Sequence, residues 1–345
     1  MKYVSVVVPC YNASAFLDKC MEHLTKQTIG IENIEIILVD DASTDEGATW
    51  ELIMQYEKAF SDTVIAIQLE KNMRQGGARN AGISYAGGEY LMFCDADDRL
   101  AFEAMEHLYD RAKKYDADVV QFRHKDFKKD EGYSLVSVQE GKESCLLEVN
   151  TEEERKAFLL KNEYTLVNNC WKKFYRMSMI QDNHIQFAEH LIFEEPCFTV
   201  PVLFYEKRHY FLDEELYFYY ISTGSTTRSG WDQHRVDNIQ VWLLLAQDLE
   251  KREFLQRYYD EIAYLFFRWG YAYNISLIMK AGLFFTVDEV RLLVRETLQI
   301  FPDIWENPYL KERGALDEML LTVLNMEITD ESVLVIHQVL RKYYL

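Results

Sequence analysis

The chain has 345 residues, which is long enough for a core enzyme domain and an appended module. Hydrophobic residues make up 49% of it and aromatic residues 14%, so the sequence predicts a folded globular protein and excludes a disordered one. Its 37 basic and 57 acidic residues give a formal net charge of −20, which repels nucleic acid and anionic membranes and argues against a nucleic-acid partner.

The cysteines and the N-terminus indicate a cellular compartment. The six cysteines include no C-x-x-C pair, which is typical of reduced thiols in a cytosolic protein. A β-like run begins at Tyr3, and no signal-peptide pattern precedes it. The most apolar later stretch, Ala263 to Phe285, is interrupted by an arginine, an asparagine and a lysine, which argues against a membrane-spanning helix. These patterns predict a cytoplasmic protein.

From Tyr3 to Arg123, short β-branched runs alternate with longer helical patterns. The predicted strands are Tyr3 to Pro9, Ile34 to Asp40, Val64 to Leu69, Tyr90 to Cys94 and Val119 to Phe122. The predicted helices are Ala13 to Thr25, Glu46 to Phe60, Ala78 to Ala86 and Phe102 to Tyr115. This order predicts an α/β fold with a Rossmann-like, mostly parallel sheet covered by helices on both faces.

The later pattern is less regular and then becomes helical. His124 to Glu140 is polar and predicts a loop or an exposed hairpin. Elements predicted before Gly230 are helices at Glu152 to Leu160 and Glu195 to Phe204, an extended segment at Asn168 to Tyr175 and a strand at Leu216 to Ile221. The predicted C-terminal helices are Val236 to Leu255, Tyr258 to Lys280, Val287 to Ile300 and Val333 to Tyr344. We therefore expect an α/β domain at residues 1–230 and a smaller helical region at residues 231–345.

Polar and acidic residues follow three of the predicted strands. The first strand runs into Pro9-Cys10-Tyr11-Asn12, the second into Asp40-Asp41, and the fourth into Asp95-Ala96-Asp97-Asp98. Ligands of parallel sheets bind at the carboxyl ends of the strands, so these residues are candidates for one binding site.

The D-x-D formed by Asp95 and Asp97 has a specific chemical use. Two carboxylates one residue apart suit a divalent cation and a sugar hydroxyl, and Mg²⁺ or Mn²⁺ prefers such oxygen ligands. A bound cation would neutralise a departing diphosphate. Short acidic runs alone are more often turns or helix caps, but the abrupt change after the apolar run Leu91 to Cys94 favours a site.

The second acidic pair and the glycine-bearing loop leave alternatives open. Asp40 and Asp41 suit a helix cap and turn, or a carboxylate that accepts a hydrogen bond from a nucleotide base. The loop from Asn72 to Asn80 opens a helix, a geometry that suits phosphate or ribose oxygens.

Taken together, four segments resemble the family 2 glycosyltransferases with a GT-A fold, of the type that decorates bacterial surface polysaccharides or teichoic acids. The matching segments are Val4 to Asn12, Ile36 to Asp45, Gly76 to Gly82 and Gly88 to Asp98. The resemblance covers roughly the first 125 residues closely and continues more loosely to Arg228.

The resemblance implies roles for residues of a nucleotide-sugar site. Pro9, Tyr11 and Asp41 correspond to the base pocket, which normally holds uracil. Asp97 corresponds to the metal ligand and Asp95 to the carboxylate on the ribose side. Arg79 corresponds to a diphosphate or ribose contact. Asn12, next to Tyr11, and Ala96, between the two aspartates, belong to the same donor site.

Three downstream segments extend the resemblance. Trp171 to Arg176 is similar to the family's W-x-K-L-Y-R segment. Glu194-Glu195 stands where the family carries E-D, which implies that Glu195 is the general base and leaves Glu194 as the alternative. Tyr217 to Tyr220 with Gly224 to Arg228 is similar to a segment that closes over the donor, where Arg228 would neutralise diphosphate charge, although an ordinary surface arginine fits equally well.

The resulting hypothesis is an inverting, Mn²⁺- or Mg²⁺-dependent transfer from a UDP-sugar or other nucleotide sugar to a hydroxyl of a glycan, teichoic acid or glycolipid. The Q-x-x-R-W motif of processive synthases does not occur, which favours one sugar per encounter. A membrane-bound acceptor would place the enzyme peripherally at the inner face of the plasma membrane. The C-terminal helices suit acceptor binding or a homo-oligomer interface. The alternatives are a nucleotidyltransferase and a non-catalytic nucleotide-sugar-binding module.

Overall fold

The computed structural model describes residues 2–128, 144–161, 167–221, 237–280, 282–311 and 314–344. The chain divides into two compact units. The first comprises Met1–Arg155, Tyr164–His190 and Phe198–Thr223, and the second comprises Lys156–Glu163, Leu191–Cys197 and Gly224–Leu345. The predicted boundary at residue 230 lies outside the described residues.

Within the described ranges, nine strands form one sheet in the first unit. They are β1 (Val4–Cys10), β2 (Ile34–Asp40), β3 (Val64–Gln68), β4 (Tyr90–Phe93), β5 (Arg99–Leu100), β6 (Val119–Phe127), β7 (Cys145–Glu148), β8 (Lys173–Arg176) and β9 (Arg208–Tyr220). Their order is β3-β2-β1-β4-β8-β6-β9-β5, and β7 pairs with β9. Strands β3, β2, β1 and β4 are parallel, whereas β8 is antiparallel to both β4 and β6. The predicted α/β class is confirmed, and the sheet becomes mixed beyond β4.

The parallel part of the sheet is buried because its strands are almost continuously apolar. All seven residues of β1 are buried, as are six of the seven in β2. The one hydroxyl within β1 has partners: Ser5 Oγ donates to Glu35 Oε2 at 2.6 Å and accepts the N–H of Gly88 at 2.8 Å. Burial of this polar group is therefore compensated by hydrogen bonds.

Of the helices that contribute to the first unit, one α-helix separates each pair of successive strands from β1 to β4, and the later order is less regular. The helices are α1 (Leu17–Thr25), α2 (Ala48–Ala59), α3 (Arg74–Tyr85), α4 (Ala104–Tyr115), α5 (Glu152–Lys161), α6 (Met177–Asp182) and α7 (Pro196–Tyr205). Helix α3 approaches β1 closely because Gly82 has no side chain: a Cβ there would lie 2.3 Å from Cγ1 of Val7. This close approach places α3 directly against the central strand.

Most predicted elements of the first unit occur within a few residues of their expected limits. Helix α1 begins at Leu17, four residues after the predicted start at Ala13. Helix α3 begins at Arg74, four residues before the predicted start at Ala78. Strand β6 continues to Phe127, and β9 begins at Arg208, eight residues before the predicted strand at Leu216. The rest of the predicted loop or hairpin, residues 129–140, lies outside the described residues.

Helices dominate the second unit. They are α8 (Asp237–Lys251), α9 (Phe254–Arg257), α10 (Tyr259–Leu265), α11 (Tyr273–Lys280), α12 (Val287–Ile300), α13 (Ala315–Leu324) and α14 (Asp330–Tyr344). The predicted single helix from Tyr258 to Lys280 contains a π-helical segment, Phe266–Ala272. Gly270 lies in this segment, where a Cβ would come within 2.9 Å of the Trp242 ring. In the part of the chain that the structure describes, no helix is both long and apolar enough to cross a membrane.

Candidate active site

The carboxyl ends of three parallel strands meet at one edge of the sheet. Cys10, the last residue of β1, lies opposite Asp40, the last residue of β2, and the N–H of Asp41 donates to the carbonyl of Cys10 at 2.8 Å. Strand β4 runs parallel to β1 on its other side. The acidic run that begins at Asp95 therefore leaves the sheet at the same edge as Asp41.

Asp41 is a buried carboxylate held by the loop that precedes α3. Only 4% of the residue is exposed, and its Oδ1 accepts the N–H of Met73 at 2.6 Å. The side-chain amide of Asn72 donates to the carbonyl of Asp41 at 3.1 Å. Burial raises the pKa of Asp41 to about 6, although the backbone hydrogen bonds from the loop act in the opposite direction. The structure thus places a buried carboxylate, held by backbone N–H groups of the loop, at this corner.

The neighbouring Asp40 has a structural role. Its Oδ1 accepts the N–H of Ser43 at 3.1 Å, and its Oδ2 accepts the side-chain amide of Gln68 at 3.1 Å. These contacts shape the turn after β2, as the cap-and-turn interpretation of the acidic pair expected. Of the two carboxylates, Asp41 is the one that remains a candidate for ligand binding.

The end of β1 supplies the other residues expected around a base. Pro9 is buried within β1, whereas Tyr11 is 49% exposed. Asn12 has a positive φ of 50° and connects two corners: its Oδ1 accepts the N–H of Thr44 at 2.8 Å, and its own N–H donates to Ser43 Oγ at 2.9 Å. Asn12 therefore fixes the corner after β1 to the corner after β2.

The guanidinium of Arg79 and the carboxylate of Asp95 form an ion pair at the end of β4. Nη2 of Arg79 lies 2.9 Å from Oδ1 of Asp95, and Arg79 is only 1% exposed. The guanidinium also lies 5.4 Å from the ring centroid of Phe187 and 5.9 Å from that of Phe93. Arg79 therefore orients Asp95 from the buried side, while the Asp95 side chain remains 17% exposed.

The loop that carries Phe187 is attached to α3. The N–H of Phe187 donates to Asn80 Oδ1 at 2.9 Å, and Asn80 Nδ2 donates back to the carbonyl of Phe187 at 3.0 Å. The N–H of His190 donates to the carbonyl of Met73 at 3.0 Å. The ring that packs against Arg79 is thus held by the same helix that carries the arginine.

Asp97 is the candidate metal ligand. Burial, and to a smaller extent the charge of Asp95, raise its pKa to about 6. Among the described residues, no three His, Cys, Asp or Glu side chains gather closely enough to hold a metal ion. Two carboxylates separated by Ala96 nevertheless fit Mn²⁺ or Mg²⁺, because these hard cations complete their coordination with water and phosphate oxygens.

Sequence reasoning missed the contacts of Asp98. This residue is 1% exposed, and its carboxylate accepts the hydroxyl of Tyr217 at 2.6 Å and the N–H of Tyr220 at 2.7 Å. The Tyr217 oxygen in turn accepts the N–H of Asp95 at 3.1 Å. The available signal was a third acidic residue in the run, together with a tyrosine-rich strand far along the chain.

The candidate base residues belong to the second unit. Glu194 is 4% exposed and Glu195 is half-buried, and both precede α7. The N–H of Cys197 donates to the carbonyl of Glu194 at 3.2 Å, which helps to fix the start of the helix. Arg228, the predicted diphosphate contact, lies outside the described residues.

The fold and the acidic strand ends are typical of glycosyltransferases of the GT-A class, here followed by a helical C-terminal region. Residues 5–181 match the family model described as glycosyl transferase family 2. The chain belongs to this family, and it is a glycosyltransferase.

Individual relatives agree with this assignment. The chain is 31% identical over 233 residues to glycosyltransferase GlyG of Streptococcus pneumoniae, a match that covers 66% of this chain and 74% of GlyG. It is 28% identical over 353 residues to a cholesterol galactosyltransferase of Borreliella burgdorferi, covering 94% and 91% of the two chains. The crystal structure of Staphylococcus aureus TarS 1-349 in complex with UDP-GlcNAc superposes with a TM-score of 0.70 at 23% identity, covering 99% of this chain and 92% of that one. The predicted GT-A fold with a helical C-terminal region is confirmed.

Proposed function

We propose that this glycosyltransferase moves a sugar from a UDP-sugar to a hydroxyl group of a glycan, teichoic acid or glycolipid, with inversion at the anomeric carbon. The observation that carries the proposal is the buried Arg79–Asp95 ion pair next to Asp97, at the edge of the sheet where Asp41 also lies. This arrangement offers one carboxylate for a base and two for a ribose and a cation.

The donor is assigned to the corners after β1, β2 and β4. Asp41 would accept the N3–H of uracil, with Pro9 and the exposed ring of Tyr11 enclosing the base. Asn12 and Ala96 would adjoin the bound donor at their corners. The UDP-GlcNAc in the TarS structure supports a uridine nucleotide as the first donor class to test. Arg79 is assigned an indirect role, because its buried guanidinium is directed at Asp95.

The cation is assigned to Asp97. When bound, Mn²⁺ or Mg²⁺ would neutralise the diphosphate as it leaves. Asp95, oriented by Arg79, would hold the ribose side of the nucleotide. Arg228 is assigned to the same leaving diphosphate, since arginine forms bidentate contacts with phosphate.

Glu195 is assigned as the general base that takes the proton from the acceptor hydroxyl. Such assistance contributes about 100- to 10,000-fold in rate. Glu194 is the alternative, and its burial and fixed backbone favour a supporting role. The expected course is one displacement with one sugar transferred per encounter.

We place the reaction in the cytoplasm, at the inner face of the plasma membrane when the acceptor is lipid-linked. Residues 1–230 would form the catalytic domain and residues 231–345 a region for acceptor binding or self-association. The cholesterol galactosyltransferase that the chain resembles over 94% of its length makes a glycolipid acceptor worth testing beside polyol-phosphate polymers.

The decisive test is a screen of UDP-sugars by calorimetry and product analysis, with and without Mn²⁺. We expect Mn²⁺-dependent donor hydrolysis or transfer, with the opposite anomeric configuration in the product by NMR. Asp97→Ala should abolish the Mn²⁺ dependence and turnover, while Asp110→Asn, an exposed acid of α4, should behave as wild type. Full activity of Asp97→Ala would reject the metal assignment. Released UMP would indicate a nucleotidyltransferase, and binding without any product would indicate a non-catalytic module.

A further inference from the structure

The hydroxyl of Tyr217, a residue far along the chain from the acidic run, forms a direct hydrogen bond with the backbone N–H of Asp95. It accepts the N–H of Asp95 at 3.1 Å and donates its own proton to Oδ2 of Asp98 at 2.6 Å. Two ends of the acidic run are therefore joined through one oxygen.

The environment of Tyr217 keeps this oxygen in place. The residue is fully buried in β9, and its ring centroid lies 4.5 Å from that of Trp171. Strand β9 is itself held at this point, because Leu100 of β5 pairs with Tyr217 and the N–H of Tyr220 donates to Oδ1 of Asp98 at 2.7 Å. A tyrosine packed in this way has little freedom to rotate away from Asp95.

We propose that Tyr217 and Asp98 are positioning residues that hold the turn between Asp95 and Asp98 in its metal-binding shape. This inference rests on the proposed function, and it gives the third carboxylate of the run a role other than metal ligation. Both oxygens of Asp98 are engaged by protein donors, so the proposed cation is left to Asp97 and the proposed ribose contact to Asp95. Partners that orient metal ligands commonly contribute 10- to 100-fold to metal affinity or activity.

The test compares Tyr217→Phe with a matched control, Tyr175→Phe. Tyr175 is also a fully buried tyrosine of the same sheet, and its hydroxyl donates to the carbonyl of Cys170 at 3.1 Å. For each protein, UDP affinity is measured by calorimetry in EDTA and in Mn²⁺. We expect Tyr217→Phe to reduce the Mn²⁺-dependent gain in affinity by about 10-fold or more, with EDTA values unchanged within about twofold. Tyr175→Phe should retain the wild-type gain.

The other outcomes decide against the inference. An unchanged Mn²⁺ response of Tyr217→Phe would overturn it and leave the proposed function intact. An equal loss of affinity in EDTA and in Mn²⁺ would show a general structural effect and would also overturn it. No Mn²⁺ response in the wild type would remove the metal assignment and this inference together. If Tyr217→Phe does not fold, Asp98→Asn is measured in the same way, because the amide keeps the shape but offers one acceptor oxygen instead of two.

Discussion

Nη2 of Arg79 lies 2.9 Å from Oδ1 of Asp95, with the arginine almost completely buried and the aspartate partly open to solvent. The charge of the arginine therefore orients a carboxylate that a ligand can reach. A lysine could keep the charge but could not reproduce the planar guanidinium geometry.

We expect Arg79→Lys to lower kcat/KM for the nucleotide sugar by about 10- to 100-fold, because Asp95 loses its fixed orientation. Steady-state kinetics at saturating Mn²⁺ measures this effect. The matched control is Arg176→Lys. Arg176 binds Asp118 at 2.9 Å and Asp116 at 2.7 Å, beside Tyr90 at the opposite end of β4. This control should leave kcat/KM within about twofold; a similar loss in both variants would mean that Arg79 acts only through stability.

The local features of the site were predictable from the sequence, whereas its cross-chain contacts were not. An acidic run directly after an apolar strand is a local pattern, so the corners at Asp41 and Asp95 could be recognised. The Arg79–Asp95 pair joins residues 16 positions apart, and the Tyr217–Asp98 hydrogen bond joins residues 119 positions apart. The local sequence around each of these residues does not indicate which distant residue becomes its hydrogen-bond partner.

Strand β9 illustrates the same limit. Its middle contains Asp213, Glu214 and Glu215, a charged run that local propensity does not favour in a strand. In the fold, Arg123 of β6 forms ion pairs with Asp213 at 2.8 Å and with Glu215 at 3.0 Å. By contrast, α12 begins and ends where it was predicted, and its start is encoded locally by the capping box of Thr286 and Glu289.

The pKa of Asp41 predicts how donor binding depends on pH. Its pKa is raised to about 6 in the ligand-free protein, and the proposed contact requires the ionised form to accept the N3–H of uracil. The affinity for a UDP-sugar should therefore be constant at neutral pH and fall by up to about tenfold per pH unit below the pKa of Asp41. A UDP-sugar is the suitable probe, because each of its phosphates carries one ester and one anhydride bond and keeps its single negative charge across this range.

Asp41→Asn supplies the control for this pH dependence. The amide oxygen can still accept the N–H of Met73, but uracil loses its carboxylate acceptor. We expect weak UDP-sugar binding with a pH profile that stays flat from neutrality to below the pKa of Asp41, where the wild type loses affinity. The folded-state pKa is above the unfolded value of 3.8, so ionised Asp41 disfavours folding above this range. The variant should thus have a higher Tm at neutral pH; a pH profile like that of the wild type would place the titrating group elsewhere.

Glu195→Gln should separate donor binding from transfer. If Glu195 takes the acceptor proton, the amide variant keeps the shape of the side chain but loses about 100- to 10,000-fold in kcat. Calorimetry with UDP-sugar and Mn²⁺ should show wild-type donor affinity. Glu194→Gln is the paired variant, since it removes the adjacent carboxylate at the start of α7. Loss of transfer in Glu194→Gln alone would assign the general base to Glu194. Wild-type transfer in both variants would show that neither glutamate is the general base.

The glycine that opens the β4 motif gives a prediction about stability. A Cβ at Gly88 would lie 2.6 Å from the backbone nitrogen of Ser5 and 2.8 Å from the carbonyl carbon of Val4, and neither backbone atom can move without displacing β1. At Gly87 the nearest atom to an added Cβ is a Glu35 oxygen at 3.8 Å. We expect Gly88→Ala to lower the free energy of unfolding by about 1–3 kcal/mol, measured by urea denaturation. Gly87→Ala should change it by less than about 0.5 kcal/mol. Equal effects of the two variants would show that backbone entropy, and not the close approach to β1, sets the cost.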